Sequence, residues 1–307
     1  MTQPFLHRPV LLNQSLEYLN IKPGKNYLDG TLGGGGHSKM ILEKSSPDGK
    51  LVGMDRDAAA LMAARENLKI YGDRVLFFER NFSEMAEIKA DILFDIHGVL
   101  LDLGVSSPQI DRQERGFSFQ ADGPLDMRMG TSPLTAERVI NEYQPSELKR
   151  IFWEYGQEKF SGRIARAIVK AREISVITTT GQLAEIIRST RPEMPTKTLS
   201  RIFQAVRIEV NDELGSLKNG LQAAVDIMAP GGRLVVLTYH SLEDGMTKQF
   251  FREQADPCTC PKGLPYCACG RKTTIKMLNR KPVVPDDDEV RQNPRSRSAH
   301  LRAAEKL

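Results

Sequence analysis

Short apolar runs alternate with helical periods along the first hundred residues. The runs fall near residues 26–29, 50–55, 74–79 and 98–103, each bounded by polar or glycine residues, and read as strands. Between them a 3.6-residue period predicts helices over Ser38–Lys44 and Ala58–Tyr71. Strands and helices in this alternation favour an α/β fold with parallel strands and right-handed crossovers. In such an open sheet ligands sit beyond the carboxyl ends of the strands, so chemistry is sought there.

The pattern breaks after Leu103. Residues 104–135 are rich in Gly, Ser, Pro, Asp and Arg without a sustained period, which predicts a long functional loop. From Leu134 to Val210 the period is helical throughout, punctuated by Pro145, Pro192 and Pro195. The α/β grammar then resumes with a helix near Asp212–Met228, the turn Ala229–Gly232 and a strand over Arg233–Tyr239. Residues 1–133 and 211–307 are therefore expected to form one discontinuous domain, with 134–210 as an inserted helical domain. The tail adds a possible strand at Thr274–Leu278, an acidic run at Asp286–Glu289, and a basic end expected to pair as a last strand. No internal repeat is apparent.

With 307 residues, 40% apolar and 27% charged, the chain is long and apolar enough to build real cores, and disorder is excluded as its main state. The longest aliphatic stretches, such as Leu234–Leu237, fall far short of the roughly 18–20 residues a membrane span needs. The N-terminus lacks the basic, apolar and small-residue regions of a secretory signal. All four cysteines lie between Cys258 and Cys269, which fits a reducing compartment better than a disulfide framework, so a cytoplasmic enzyme is expected.

The net charge of +4 is unevenly spread, because twelve basic residues between Lys149 and Arg207 outnumber seven acidic ones between Glu147 and Glu209. Arg163, Arg166 and Lys170 recur at one helical face, a stripe suited to phosphates, with Trp153 and Phe160 available to stack on bases. A merely solvated charged face is the competing explanation.

Candidate chemistry clusters at the predicted strand ends. Leu28–Ser38 is a Gly-rich turn between the first strand and the first helix, where missing side chains let backbone N–H groups approach a ligand. No Gly-Lys-Ser/Thr follows, so it is not a P-loop. Asp55, 19 positions beyond Gly36, stands where an acidic side chain accepts hydrogen bonds from ribose hydroxyls; the alternative is that it caps the helix starting near Ala58. A nicotinamide dinucleotide and S-adenosylmethionine both suit these two features. The turn Met228–Leu234 is similar to the Pro-Gly-Gly turn before the fifth strand of class I methyltransferases and favours the second.

Asp102 closes the fourth strand, and the segment Leu103–Gln109 behind it is loosely similar to the element that meets the acceptor nitrogen in amino-group methyltransferases. Acceptors there can orient a conjugated amine for attack and take up its developing charge. No cysteine nucleophile follows that strand, which disfavours methylation at cytosine C5. His240 ends the fifth strand, with a structural role competing against proton transfer. Cys258, Cys260, Cys267 and Cys269 leave three readings open: a zinc knuckle, reduced thiols or redox disulfides.

Taken together, Asp29–Ser38, Leu101–Gln109, Arg115–Phe119, Asp122–Arg128, Phe203–Ile208, His240–Asp244 and Asn293–Ser298 resemble the ribosomal RNA small subunit methyltransferase H family, also called MraW, over nearly the whole chain. The resemblance implies a class I (Rossmann-like) sheet and methyl transfer from S-adenosylmethionine to the N4 amine of a cytidine in the decoding region of small-subunit ribosomal RNA. It implies that Gly35, Gly36 and His37 line the methionine end of the cofactor, that Asp55 holds its ribose, and that Phe82 lies near its adenine. Asp102 and Gln109 complete the pocket, with Asp102 also the expected catalytic acceptor and no metal expected in the site. The partner is the ribosomal RNA or the small subunit, the chain acting as a monomer or homodimer. Arg115, Phe117, Asp126 and Arg128 are candidate RNA contacts because their loop is expected to overhang the site. A nicotinamide-dependent oxidoreductase and a non-catalytic RNA-binding factor are the readings from other classes.

Overall fold

A computed structural model describes residues 9–104, 112–261 and 268–307. In chain order the elements begin with helix α1 (Leu12–Leu19), strand β1 (Tyr27–Asp29), α2 (Gly36–Lys44), β2 (Leu51–Asp55), α3 (Ala58–Leu68), β3 (Val75–Glu79) and β4 (Ile96–Asp102). Five helices follow: α4 (Ala136–Glu142), α5 (Pro145–Glu154), α6 (Ser161–Arg172), α7 (Thr180–Ser189) and α8 (Pro195–Asn211). The chain continues through α9 (Glu213–Ile227), β5 (Met228–Thr238), α10 (Ser241–Ala255), β6 (Ile275–Met277), α11 (Asp287–Gln292) and β7 (His300–Lys306). None of these helices is long and apolar enough to cross a membrane.

The predicted strands all form, most of them shifted by a residue or two at their ends; β5 instead begins at Met228, five residues before the expected Arg233, so the residues expected as the turn Ala229–Gly232 lie within it. The helix expected over Ala58–Tyr71 stops at Leu68 and tightens into a 3-10 turn over Lys69–Arg74, because Gly72 departs from helical geometry. Helix α1 was not expected from the pattern; it is short, and its Leu16 and Leu19 are buried.

Two compact units result. The first contains the whole sheet, in the order β3-β2-β1-β4-β5-β7-β6. Strands β1 to β5 are mutually parallel, and β7 runs antiparallel between β5 and β6. This is the class I methyltransferase arrangement. Alternate residues of each strand enter different cores. Leu28, Val52, Val99 and Leu101 join Leu217, Leu221 and Phe251 on one face, while Tyr27, Leu51, Leu100 and Val235 join Leu16, Ile41 and Leu61 on the other. Burial on both faces explains the unbroken apolar runs, each such side chain contributing about 1.5–3 kcal/mol.

The second unit, over described residues 112–214, is wider than the expected 134–210. The loop before α4 folds into it. Leu125 and Met127 are buried with Val139, Ile151, Phe152 and Phe203 in one helical core. Leu125 N–H donates to the Thr178 carbonyl at 2.9 Å, and Asn211 clamps the loop by donating to Met127 O at 2.7 Å and accepting from Met129 N–H at 2.8 Å.

Candidate active site

In the first unit the strand order reverses between β1 and β4, and three carboxylates stand at this end of the sheet: Asp29 on β1, Asp55 on β2 and Asp102 on β4. A switch point of this kind opens the crevice in which α/β sheets bind ligands.

Asp29 is buried and braces the turn that follows it. Its Oδ2 accepts from Ser38 Oγ at 2.7 Å in the first turn of α2, and its Oδ1 accepts from Thr31 N–H at 3.1 Å. Burial pushes its carboxyl above the ordinary range, against the opposing pull of Ser38 and His37. Asp55 is not the helix cap. That role belongs to Asp57, whose side chain accepts from Ala59 N–H. Asp55 instead accepts Gly33 N–H at 2.8 Å on one oxygen and Asp57 N–H at 2.9 Å on the other, so each oxygen keeps a lone pair for a hydroxyl. Burial raises its carboxyl too, with those two N–H groups opposing.

The glycines of the turn divide their work. A Cβ on Gly35 would lie 3.1 Å from Leu68, and one on Gly36 would lie 2.6 Å from Pro9, so these two are small to let the protein pack on itself. Added Cβ atoms on Gly33 and Gly34 would meet nothing closer than 3.9 Å, so there is open space beside their backbone, with the Gly33 N–H itself given to Asp55 and the Gly34 carbonyl to Asn67. His37 is buried, with Nε2 donating to the Val10 carbonyl at 3.1 Å and Nδ1 lying 3.8 Å from Asp102 Oδ2. Phe82 is fixed between two glycines: a Cβ on Gly30 would come 3.0 Å from its Cβ, and one on Gly220 of α9 would come 2.3 Å from its ring.

Asp102 is tied from several directions. Its N–H donates to Thr31 Oγ1 at 2.6 Å, its Oδ1 accepts from Gly104 N–H at 3.3 Å, and the same oxygen accepts from Tyr239 Oη at 2.8 Å. Gly104 makes room for that ring, since a Cβ there would sit 2.8 Å from Tyr239 Cε2. Burial and the Asp102 charge raise the Tyr239 hydroxyl well above its ordinary range, so it stays a donor. The sequence marks Tyr239 only as one of the titratable and hydrogen-bonding residues 238–244 that end the fifth strand; its bond to Asp102 comes from the pairing of β4 with β5.

His240 caps α10. Its Nδ1 accepts from Glu243 N–H at 3.4 Å, and buried Glu243 returns Oε2 to the N–H groups of Tyr239 at 2.8 Å and His240 at 3.3 Å. Glu243 therefore sets Tyr239, and Tyr239 sets Asp102. Gln109 and the segment Ser106–Pro108 lie outside the described residues.

Among the described residues none of the three carboxylates has a lysine or arginine within 4.0 Å; Asp102 has only His37. A dinucleotide would bring a pyrophosphate dianion to this acidic end of the sheet, whereas S-adenosylmethionine is net cationic, its sulfonium and ammonium outnumbering its single carboxylate. The donor set fits the second and opposes the first.

The profile of the MraW methylase family matches residues 4–307. The chain belongs to the MraW methylase family. Its relatives include proteins named ribosomal RNA small subunit methyltransferase H from Carboxydothermus hydrogenoformans, 51% identical, covering 99% of this chain and 98% of that one. The protein of that name from Geobacter sulfurreducens is 52% identical with 99% of each chain covered, and that from Symbiobacterium thermophilum is 50% identical, covering 99% and 97%. As an MraW methylase with this sheet, the chain is a methyltransferase whose methyl donor is S-adenosylmethionine.

In the helical unit, Asp126 and Arg128 are occupied with each other through a two-pronged pair at 2.9 and 2.7 Å. Arg115 donates to Arg128 O at 2.9 Å, and Phe117 packs against the helical core. These four serve the loop's own fold. Arg163, Arg166 and Lys170 are exposed on α6 with no acidic partner within 4.0 Å among the described residues, and Arg163 lies over the ring of half-exposed Phe160 at 4.7 Å.

Proposed function

We infer that this chain transfers a methyl group from S-adenosylmethionine to the N4 amine of a cytidine in the decoding region of small-subunit ribosomal RNA. The observation that carries the reading is the Asp102 carboxylate, held at the carboxyl end of β4 by Tyr239 and Thr31 at the switch point of the sheet. The relatives' name supplies the class of RNA.

Bound there, the cofactor supplies a methyl group activated by its sulfonium. Asp55 accepts from the ribose hydroxyls, Gly33 and Gly34 offer the open backbone, and Phe82 borders the adenine. The cytosine amine is a poor nucleophile because its lone pair is conjugated with the ring. Asp102 accepts its N–H hydrogen bond and favours the pyramidal nitrogen that attacks, while the carboxylate offsets the positive charge that develops. The surplus proton leaves to water. The orientation of two bound reactants supplies most of the acceleration.

The stripe Arg163, Arg166 and Lys170, with Phe160 and Trp153 exposed nearby in sequence, supports an RNA-binding role for the helical unit. Small subunits incubated with labelled cofactor and digested to nucleosides give N4-methylcytidine by mass spectrometry, and Asp102→Ala removes it. Methylation at another atom, or an unchanged yield with Asp102→Ala, contradicts the reading. Replacing all three basic residues by alanine lowers the slope of log affinity against log salt by about two to three.

A further inference from the structure

The connection between α10 and β6, residues 256–274, carries none of the residues placed in the active site. Its base is closed. Thr274 N–H donates to the Gln254 carbonyl at 3.1 Å, Thr273 Oγ1 to the Ala255 carbonyl at 3.3 Å, and the Thr274 hydroxyl meets the Gln254 side chain. Between those ties the described residues form no regular element, and none of their side chains is buried. With no side chain buried among its described residues, the excursion gains little apolar contact there to offset the backbone entropy lost on holding one shape.

The thiols of Cys258, Cys260 and Cys269 converge, their sulfur atoms all within 4.8 Å of one another. Ala268 N–H points at Cys260 Sγ at 3.3 Å, the kind of outer hydrogen bond that orients a metal ligand and stabilises charge on it. Gly270, directly after Cys269, takes a φ of +65°, which turns the chain away behind that sulfur. A tetrahedral ion with metal–sulfur bonds of about 2.3 Å holds its sulfurs about 3.8 Å apart, so small side-chain rotations close the observed spread.

We propose that this excursion is a structural zinc site in which Cys258, Cys260 and Cys269 are thiolate ligands. The donor chemistry selects the metal: soft sulfur favours zinc, whereas magnesium and calcium require oxygen. The sequence supplies a further thiol, Cys267, outside the described residues. Arg271 and Lys272, both exposed, follow in the chain and offset the surplus negative charge of a zinc–thiolate group. The ion would fix the loop that joins α10 to the edge strand β6 and takes no part in methyl transfer.

The test is the metal content of full-length protein purified without chelator. The expected result is about one zinc per chain with a sulfur shell near 2.3 Å by X-ray absorption. Cys258→Ser combined with Cys260→Ser reduces zinc to less than about a tenth per chain with an unchanged circular dichroism spectrum. Removing the metal with a mercurial reagent speeds tryptic cleavage after Arg271 and Lys272. Wild-type protein with less than about a tenth of a zinc per chain overturns the proposal, whether its thiols titrate freely or are joined in disulfides. So does zinc retained by the double serine variant. The wild-type measurements decide the matter even if that variant fails to fold.

Discussion

Gly220 lies inside α9, where alanine would ordinarily be the better residue by about 0.5–1 kcal/mol. Its absent side chain, however, is where the Phe82 ring sits: a Cβ would be 2.3 Å from Cδ2 and 2.6 Å from Cε2. Ordinary carbon contact begins near 3.5 Å, so Gly220→Ala must move the ring by about 1 Å or more. The ring has little freedom to comply. Its turn is fastened to the same helix by Asn81 Nδ2 donating to Ser216 Oγ at 3.1 Å, and Gly30 closes the opposite side. Overpacking of this kind costs about 1–3 kcal/mol, which set against the helical gain leaves a net loss of up to about 2.5 kcal/mol. In a Phe82→Ala background the clash disappears, and the same substitution becomes stabilising by up to about 1 kcal/mol. The assay is a double-mutant cycle of thermal unfolding followed by circular dichroism, since the single tryptophan, Trp153, lies in the other unit. Calorimetric titration with S-adenosylmethionine should show weaker binding in Gly220→Ala. Equal effects of Gly220→Ala in the two backgrounds would refute the reasoning.

Tyr239→Phe deletes the hydroxyl that holds Asp102; a hydrogen bond to a charged group is worth about 1.5–3 kcal/mol, so kcat should fall about ten- to a hundred-fold with little change in KM for RNA. An unchanged kcat removes Tyr239 from the positioning chain. Gly116→Ala puts a Cβ 2.0 Å from the Pro124 carbonyl, and the loss, about 3 kcal/mol or more, should register in Trp153 fluorescence as an earlier unfolding of the helical unit. Burial pushes the Asp244 carboxyl up, but hydrogen bonds from Arg302, its charge and that of His300 more than offset this and hold it below the usual range. The ionised pair therefore stabilises the fold above the unfolded carboxylate range of about pH 4, and that contribution is lost as pH falls through the lower folded value. Asp244→Asn should lower the melting temperature at neutral pH and flatten its decline in acid; a parallel decline in both proteins contradicts this.

The sheet was legible in the sequence because its strands are buried on both faces, so Val99, Leu100 and Leu101 form an unbroken run that no helix period explains. Asp55 and Asp102 were legible because residues that end such runs face the crevice. The reasons behind the glycines were not. Gly36 serves Pro9 and Gly220 serves Phe82, contacts between residues far apart in the chain that no local pattern records. The same holds for Tyr239, 137 positions from Asp102. Residues 112–133 read as an aperiodic loop because their order comes from backbone hydrogen bonds, the Asp126–Arg128 pair and irregularly spaced apolar anchors, Phe117, Phe119, Leu125 and Met127, which follow no helical or strand period.

The place of β7 between β5 and β6 has a consequence for biosynthesis. While a ribosome is still translating residues beyond Leu214, the helical unit has all its residues and can fold during synthesis. The sheet cannot be completed until residues 300–306 are made, so the edge of β5 that pairs with β7 stays open for about 3–14 s after Thr238 is added. During that interval the nascent chain carries an unpaired strand edge open to edge-to-edge association.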